Sequence, residues 1–250
     1  MKKLPAITLV LVFCLGVVSC AGNREARRRQ SAATRNLGES YMMQGKHTAA
    51  LTEFIKAEEL NPEDPYLQYD MGLVYMAKEK LELAEAHFKK AIVLKSGYSA
   101  AKNSLGVVHL MRQDWDAAIV LFKEVLEDDL YATPQIPLSN LGRAYYNRKS
   151  YAEAEKYYIE ALKKDPEYII AWRGLGLTHR AVGQNIKAVE AFEKTVKLAP
   201  EAAELHLELG DAYSAVKDFK KARAAYEKVM ELDPAGESGA AAKKAAAGLK

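Results

Sequence analysis

The sequence predicts an all-α fold, an array of six helical hairpins, on three observations. The first is a 34-residue period. Leu37-Gly38, Tyr41, Ala50, Phe54, Ala57 and Pro62 return as Met71-Gly72, Tyr75, Ala84, Phe88, Ala91 and Ser96, and the pattern closes at Leu209-Gly210, Tyr213, Ala222, Tyr226, Val229 and Pro234. Self-similarity of that length outranks any shorter motif. The second is the spacing inside the unit. Leu, Gly and Tyr slots within four residues share one helical face, and Ala, aromatic and Ala slots spaced four and three mark a second. The third is composition: 49% hydrophobic residues suffice for burial, so disorder is not the default. Glycine within a helix costs about 1 kcal/mol relative to alanine. The recurring glycine is therefore expected where the small slots of the second helix bring two backbones together. One hairpin has a wet face, and its stacked neighbour completes the core.

These slots resemble the tetratricopeptide repeat over Ser31 to Gly236, with units at 31–64, 65–98, 99–132, 135–168, 169–202 and 203–236. His109 and His179 stand where the repeat has an aromatic hydroxyl, and Ser96 and Leu130 stand where it has proline. The resemblance implies a right-handed α-solenoid of six repeats with a groove lined mainly by first helices. It also implies a binding scaffold.

The elements follow in order. Residues 1–19 read as a signal peptide: Met1-Lys2-Lys3, then an apolar run from Leu4 to Val18, short for a membrane span. Val17-Val18-Ser19-Cys20-Ala21 resembles the bacterial lipobox. The resemblance implies a diacylglycerol thioether on Cys20, cleavage before it and acylation of the new amine. The alternative is an ordinary secretory signal. Ala21 in place of aspartate implies the outer membrane, with the protein facing the periplasm. Removing Lys2 and Lys3 with the leader takes the net charge from +3 to +1, which argues against a basic nucleic-acid array. Cys14 leaves with the leader and Cys20 is capped, so no thiol remains for a disulfide, zinc or nucleophile. Asn23 to Gln30, with Arg24, Arg27, Arg28 and Arg29, reads as a tether. It lies on anionic headgroups, or else it is a solvated linker or frayed first turn. Hairpin turns fall at Gly45, Glu79-Lys80 and Gln113-Asp114. Residues 237–250, rich in alanine and lysine, read as a polar cap with partial helix or as a frayed tail.

First-helix positions off the Leu-Gly-Tyr stripe give the candidate groove. Met42, Tyr66, Tyr69, Leu73, Met76, Val107 and Leu110 are apolar or aromatic and suit an amphipathic peptide. Their other role is packing between repeats. Arg143, Tyr146, Arg173 and Arg180, then Glu204 and Asp211, make the later slots polar. Those arginines grip a carboxylate or are a wet face. Where a co-chaperone array carries its carboxylate clamp, Arg35, Glu39, Asn103 and Ser104 stand here, so that clamp is absent. Between the third and fourth units the period slips by two, through Asp129, Leu130, Tyr131 and Pro134, and Pro134 and Pro137 are expected to stop helix locally. Lipobox, six repeats and this interruption together resemble the type IV pilus biogenesis lipoproteins called PilF, PilW or Tgl. That resemblance implies a pilotin: a scaffold that binds the secretin subunit and promotes its localisation and assembly. A lipoprotein adaptor for cell-wall synthesis, division or outer-membrane protein assembly would carry the same array.

No enzyme is expected. Gly174-Leu175-Gly176 belongs to the repeat and not to a phosphate loop. His47, His87, His109, His179 and His206 show no metal-binding helical spacing, and Glu58-Glu59 and Asp128-Asp129 point apart on a helix. The expected cofactor is none beyond the covalent lipid. The expected partners are a protein and, through the anchor, a membrane, with no nucleic acid and no small-molecule substrate.

Overall fold

The computed structural model describes the backbone of residues 6–249 and the side chains of residues 23–249. Met1 to Pro5 and the side chains before Asn23, Cys20 among them, lie outside the described residues. Among the described residues the chain forms thirteen helices and no strand. They are α1 (Ala6–Met43), α2 (His47–Leu60), α3 (Pro65–Ala77), α4 (Leu81–Leu94), α5 (Ser99–Met111), α6 (Trp115–Leu126) and α7 (Gln135–Asn147). Then come α8 (Tyr151–Lys164), α9 (Ile169–Ala181), α10 (Asn185–Leu198), α11 (Ala203–Ala215), α12 (Phe219–Leu232) and α13 (Glu237–Ala247). They group into two compact units, Met1–Val108 and His109–Lys250. In the first, α1 pairs with α2 and α3 with α4, and α2 packs on α3. In the second, α7–α8, α9–α10 and α11–α12 are hairpins, each packed on the next, with α13 against α12 and α11.

The hairpin turns explain the period at the level of hydrogen bonds. Residues 45, 79, 113, 149, 183 and 217 all have positive φ, between 57° and 76°. At Glu79, the Glu79 N–H donates to Met76 O and the Lys80 N–H to Tyr75 O, a Schellman closure of the first helix. The same two bonds recur at Gly45, Gln113, Lys149, Gly183 and Lys217, and in each the inner acceptor is the carbonyl of the Tyr or His slot. The residue after the turn then starts the second helix: Lys80 O accepts from Ala84 N and Ser150 O from Ala154 N. Thus the Tyr and Ala slots hold the two ends of one turn. Asp64 caps α3, accepting from the Tyr66 N–H at 2.9 Å, with Pro65 at the first helical position.

The recurring glycine serves an aromatic ring, not an alanine. A Cβ on Gly72 would stand 2.5 Å from the Phe88 ring, and one on Gly142 2.7 Å from the Tyr158 ring. Gly38, Gly176 and Gly210 face Phe54, Phe192 and Tyr226 in the same way, and Gly174 meets the far end of Tyr158. The expectation of backbones held together by small residues is therefore corrected: the second helix inserts its ring over the glycine. Around these rings lie the cores, Ala50, Phe54, Ala57, Leu67, Met71 and Val74 in the first unit. In the second unit they are Tyr158 with Leu138 and Leu175, and Phe192 and Tyr226 with Leu209 and Val229.

Two segments differ from expectation, and a third takes one of the two forms expected of it. Asn23 to Gln30 are exposed but helical, part of α1. Arg27 Nη2 donates to Glu59 O at 2.8 Å, and one turn on, buried Ser31 Oγ donates to Ala57 O at 2.8 Å, so side-chain bonds to α2 fix this stretch. Pro137 does not break α7; it is buried in the first turn, where its missing N–H has no intrahelical partner to lose. Residues 237–247 form a complete helix that buries Ala242. Among the described residues no helix is long and apolar enough to cross a membrane.

Candidate functional site

In the first unit, α1 and α3 bring together most of the early groove candidates. Tyr66 is 45% exposed. It stands edge-on to Tyr98 at 5.7 Å, with Lys95 Nζ 4.6 Å and the Arg35 guanidinium 5.4 Å from its ring centre. Tyr69 is half-buried and tilted against Phe88 at 5.8 Å and Tyr98 at 5.3 Å, so part of its surface is repeat packing. Leu73, Met76 and Val107 are half-buried, and Met42 packs beside the first hairpin's core. These side chains leave apolar surface exposed at helical spacing.

Charge concentrates at one place on the same face. Arg35 Nη1 lies 3.0 Å from Asp64 Oδ2, and its Nε lies 3.0 Å from Glu39 Oε1 and 3.7 Å from Asp70 Oδ2. Asp70 is buried, and its carboxyl is pushed up to about 8, first by burial and then by the charge and hydrogen bond of Glu39. Burial likewise raises the Tyr98 hydroxyl. Asp70 and Lys95 are absent from the sequence-derived candidates. The available signal is an acid one residue after a groove slot, facing an arginine of the preceding first helix.

In the second unit the later candidates separate. Leu110 is 5% exposed and belongs to the packing, a correction to its place in the groove: its side chain has no free surface to offer. Arg173 forks onto Glu208 through Nε at 3.0 Å and Nη2 at 2.8 Å, an internal pair that supports its charge while part of its side chain stays exposed. Arg180 lies over the Phe192 ring at 5.8 Å. Asp211 accepts from the Tyr226 hydroxyl at 2.8 Å, and Glu204 is exposed. Tyr146 is half-buried and edge-on to Tyr151 at 5.6 Å. Arg143 keeps an exposed surface, yet crowding by protein atoms lowers its pKa, with Tyr158 and Tyr168 as electrostatic neighbours. Among the described residues no acid faces it.

The interruption is an ordered turn. Asp128 Oδ1 accepts from the Leu130 N–H at 3.1 Å and Asp128 O from the Tyr131 N–H at 3.0 Å. This holds Leu130 outward, 92% exposed. Beside it Asp128, Asp129, Tyr131 and Pro134 line a recess of about 520 Å³ floored by Val125, Leu126 and Leu138.

Hairpins closed by ring-over-glycine contacts, with apolar and charged side chains left on their first helices, define a repeat scaffold. Tetratricopeptide repeat models match residues 38–79, 69–133, 136–168 and 167–235, and the chain is a tetratricopeptide repeat protein. It is similar to BBSome complex member BBS4 of Bos taurus, 25% identical over 202 residues, 79% of this chain and 38% of that protein. It is also similar to the type IV pilus assembly protein PilF of Pseudomonas aeruginosa, 26% identical over 166 residues, 66% of this chain and 64% of that one. The chain thus spans less than two thirds of either relative. The crystal structure of PilW, a widely conserved type IV pilus biogenesis factor, superposes with a TM-score of 0.79 over 84% of this chain and 96% of that chain. At 20% identity that likeness shows the fold.

Proposed function

We propose that this protein is a scaffold anchored by lipid at Cys20 to the periplasmic face of the outer membrane. There it binds the type IV pilus secretin subunit and promotes its localisation and multimer assembly. In this reading it is not an enzyme, and it uses no cofactor, nucleic acid or small-molecule substrate. The observation that carries it is the sequence match to a type IV pilus assembly protein over 66% of this chain and 64% of that one. The superposition on a pilus biogenesis factor, at a TM-score of 0.79, agrees with it.

The mechanism is one of local concentration. Two or three acyl chains, at about 0.8 kcal/mol per buried CH₂, make an anchor that hardly dissociates. A binding face confined to the membrane plane holds captured subunits at high effective concentration, which favours their oligomerisation without any chemical step. The test is deletion of the gene in its native host, followed by gel analysis of the secretin in SDS. Monomeric secretin and loss of surface pili are expected, restored by the wild-type chain but not by Leu73→Ala, whose truncated side chain weakens the apolar face. SDS-resistant multimers unchanged by the deletion would sink the proposal and favour another envelope machine as the partner.

A further inference from the structure

The first unit contains a charge imbalance that its own packing leaves open. One cation, Arg35, sits among Glu39, Asp64 and Asp70. Asp70 is 7% exposed, and no N–H or hydroxyl donor reaches its Oδ2 at hydrogen-bond distance, Arg35 Nε stopping at 3.7 Å. A buried oxygen left this way calls for an explanation. Glu39 supplies it: two carboxylates side by side offer each other only lone pairs, so they meet by sharing a proton or by holding a cation between them. The surrounding wall already takes cations. Tyr66 carries both Arg35 and Lys95 over its ring, and Lys95 also lies 4.5 Å from the Tyr98 ring centre. The charged groups facing Asp70 are Arg35 and Glu39 from α1 and Asp64 from the cap of α3, while Lys95 and Tyr98 come from the end of α4 and the turn after it. Acids outnumber cations around Asp70 itself, and the half-buried Leu73 and Met76 continue the same face.

We propose that this cluster recognises a lysine or arginine side chain on the polypeptide segment that binds the first-helix face, the incoming cation replacing the proton shared by Glu39 and Asp70. The proposal rests on the reading that this face binds polypeptide, and it adds what that segment carries: a basic residue flanked by apolar ones. Binding releases the proton to solvent. Since Asp70 holds that proton up to a pH of about 8, affinity rises between pH 6 and pH 8, by up to roughly tenfold per unit. It levels off once Asp70 ionises without ligand.

The probes are four acetylated and amidated octapeptides of leucine and serine, identical except for lysine, arginine, glutamine or glutamate at one central position. Each is titrated calorimetrically into the full chain at several pH values, in buffers of different ionisation enthalpy. At pH 8 the lysine and arginine peptides should bind at least tenfold more tightly than the glutamine peptide, and at pH 7 they should release a proton. Asp70→Asn and Glu39→Gln, each shown to be folded by circular dichroism, should reduce that preference below threefold. The proposal is overturned if none of the peptides binds, if glutamine binds as well as lysine, or if the preference survives both substitutions. Secretin multimers are read separately. A variant that loses the lysine preference yet still supports them leaves the cation site standing and counts against the secretin as its occupant.

Discussion

Asp70 shows how one residue sets a pH dependence for the fold. Its carboxyl sits at about 8 in the folded chain against an ordinary 3.8. Between those values the folded state holds a proton that the unfolded chain has lost, so the stability Asp70 contributes is complete below pH 4 and is lost as pH rises towards 8. An amide in its place mimics the protonated acid and does not titrate. Asp70→Asn should therefore match the wild type at pH 4 and exceed it at pH 9. Coupling to Glu39 and relaxation around Arg35 hold the gain below the full shift, to roughly 2 kcal/mol, or about 4–8 °C in melting temperature. Melting curves at the two pH values check this, and an equal offset at both would refute it. The neighbouring Arg35 has the opposite character. Replacing it strips two close ion pairs from half-buried acids, so Arg35 is the residue whose loss confuses binding with folding and is the wrong probe for this site.

At the scale of the element, each hairpin depends on a single left-handed residue. Glycine occupies it at 45 and 183, but Glu79, Gln113, Lys149 and Lys217 take it with φ between 57° and 65°. A Cβ in that region is strained. All four residues are exposed at the turn, so their side chains contribute little that glycine would forfeit. Lys149→Gly should therefore stabilise the chain by about 0.5–1 kcal/mol, relief of strain outweighing the added freedom of the unfolded state. Gly183→Ala should cost a similar amount. Urea midpoints measure both, and a lower midpoint for Lys149→Gly contradicts the argument. These turns also show why the hairpins were legible in the sequence. Glu79 and Gln113 carry no turn signal of their own, but the period places them one repeat after Gly45, and the Tyr and Ala slots on either side supply the bonding partners. The reason for the recurring glycine was not legible. The slot that meets it lies sixteen residues on, in Phe88 for Gly72, and helical spacing alone does not say which residue of the partner helix faces a given point.

At the scale of the molecule, the array reads as a series of neighbours, and this decides which functional residues a sequence can reveal. Slots that repeat, such as Tyr66, Tyr69 and Leu73, follow from the period. Asp70 does not, because its character comes from Glu39 on the preceding first helix and from burial, and neither is encoded in its own repeat. The same logic separated Arg173, whose partner Glu208 lies 35 residues away, from Arg143, which has no such acid among the described residues. The end of the array obeys it too. Nothing in the alanine-rich tail announces burial, yet α13 packs on α11 and α12, buries Ala242 and sets Leu249, Ala245 and Ala246 against the core around Tyr226. Asp233 Oδ2 accepts from the Ser238 and Gly239 N–H groups at 3.1 and 3.4 Å, which fixes where the helix begins. α13 thus covers the apolar side of α12, and its removal exposes that side. In an array stabilised by nearest-neighbour interfaces the damage stays local. A chain ending at residue 236 should lose hydrogen-exchange protection across α11 and α12, with opening free energies there falling by roughly 1–3 kcal/mol, while α1 to α4 keep theirs. Protection lost equally in α1 to α4 would mean that the chain unfolds as one cooperative body and that the effect of α13 is not local.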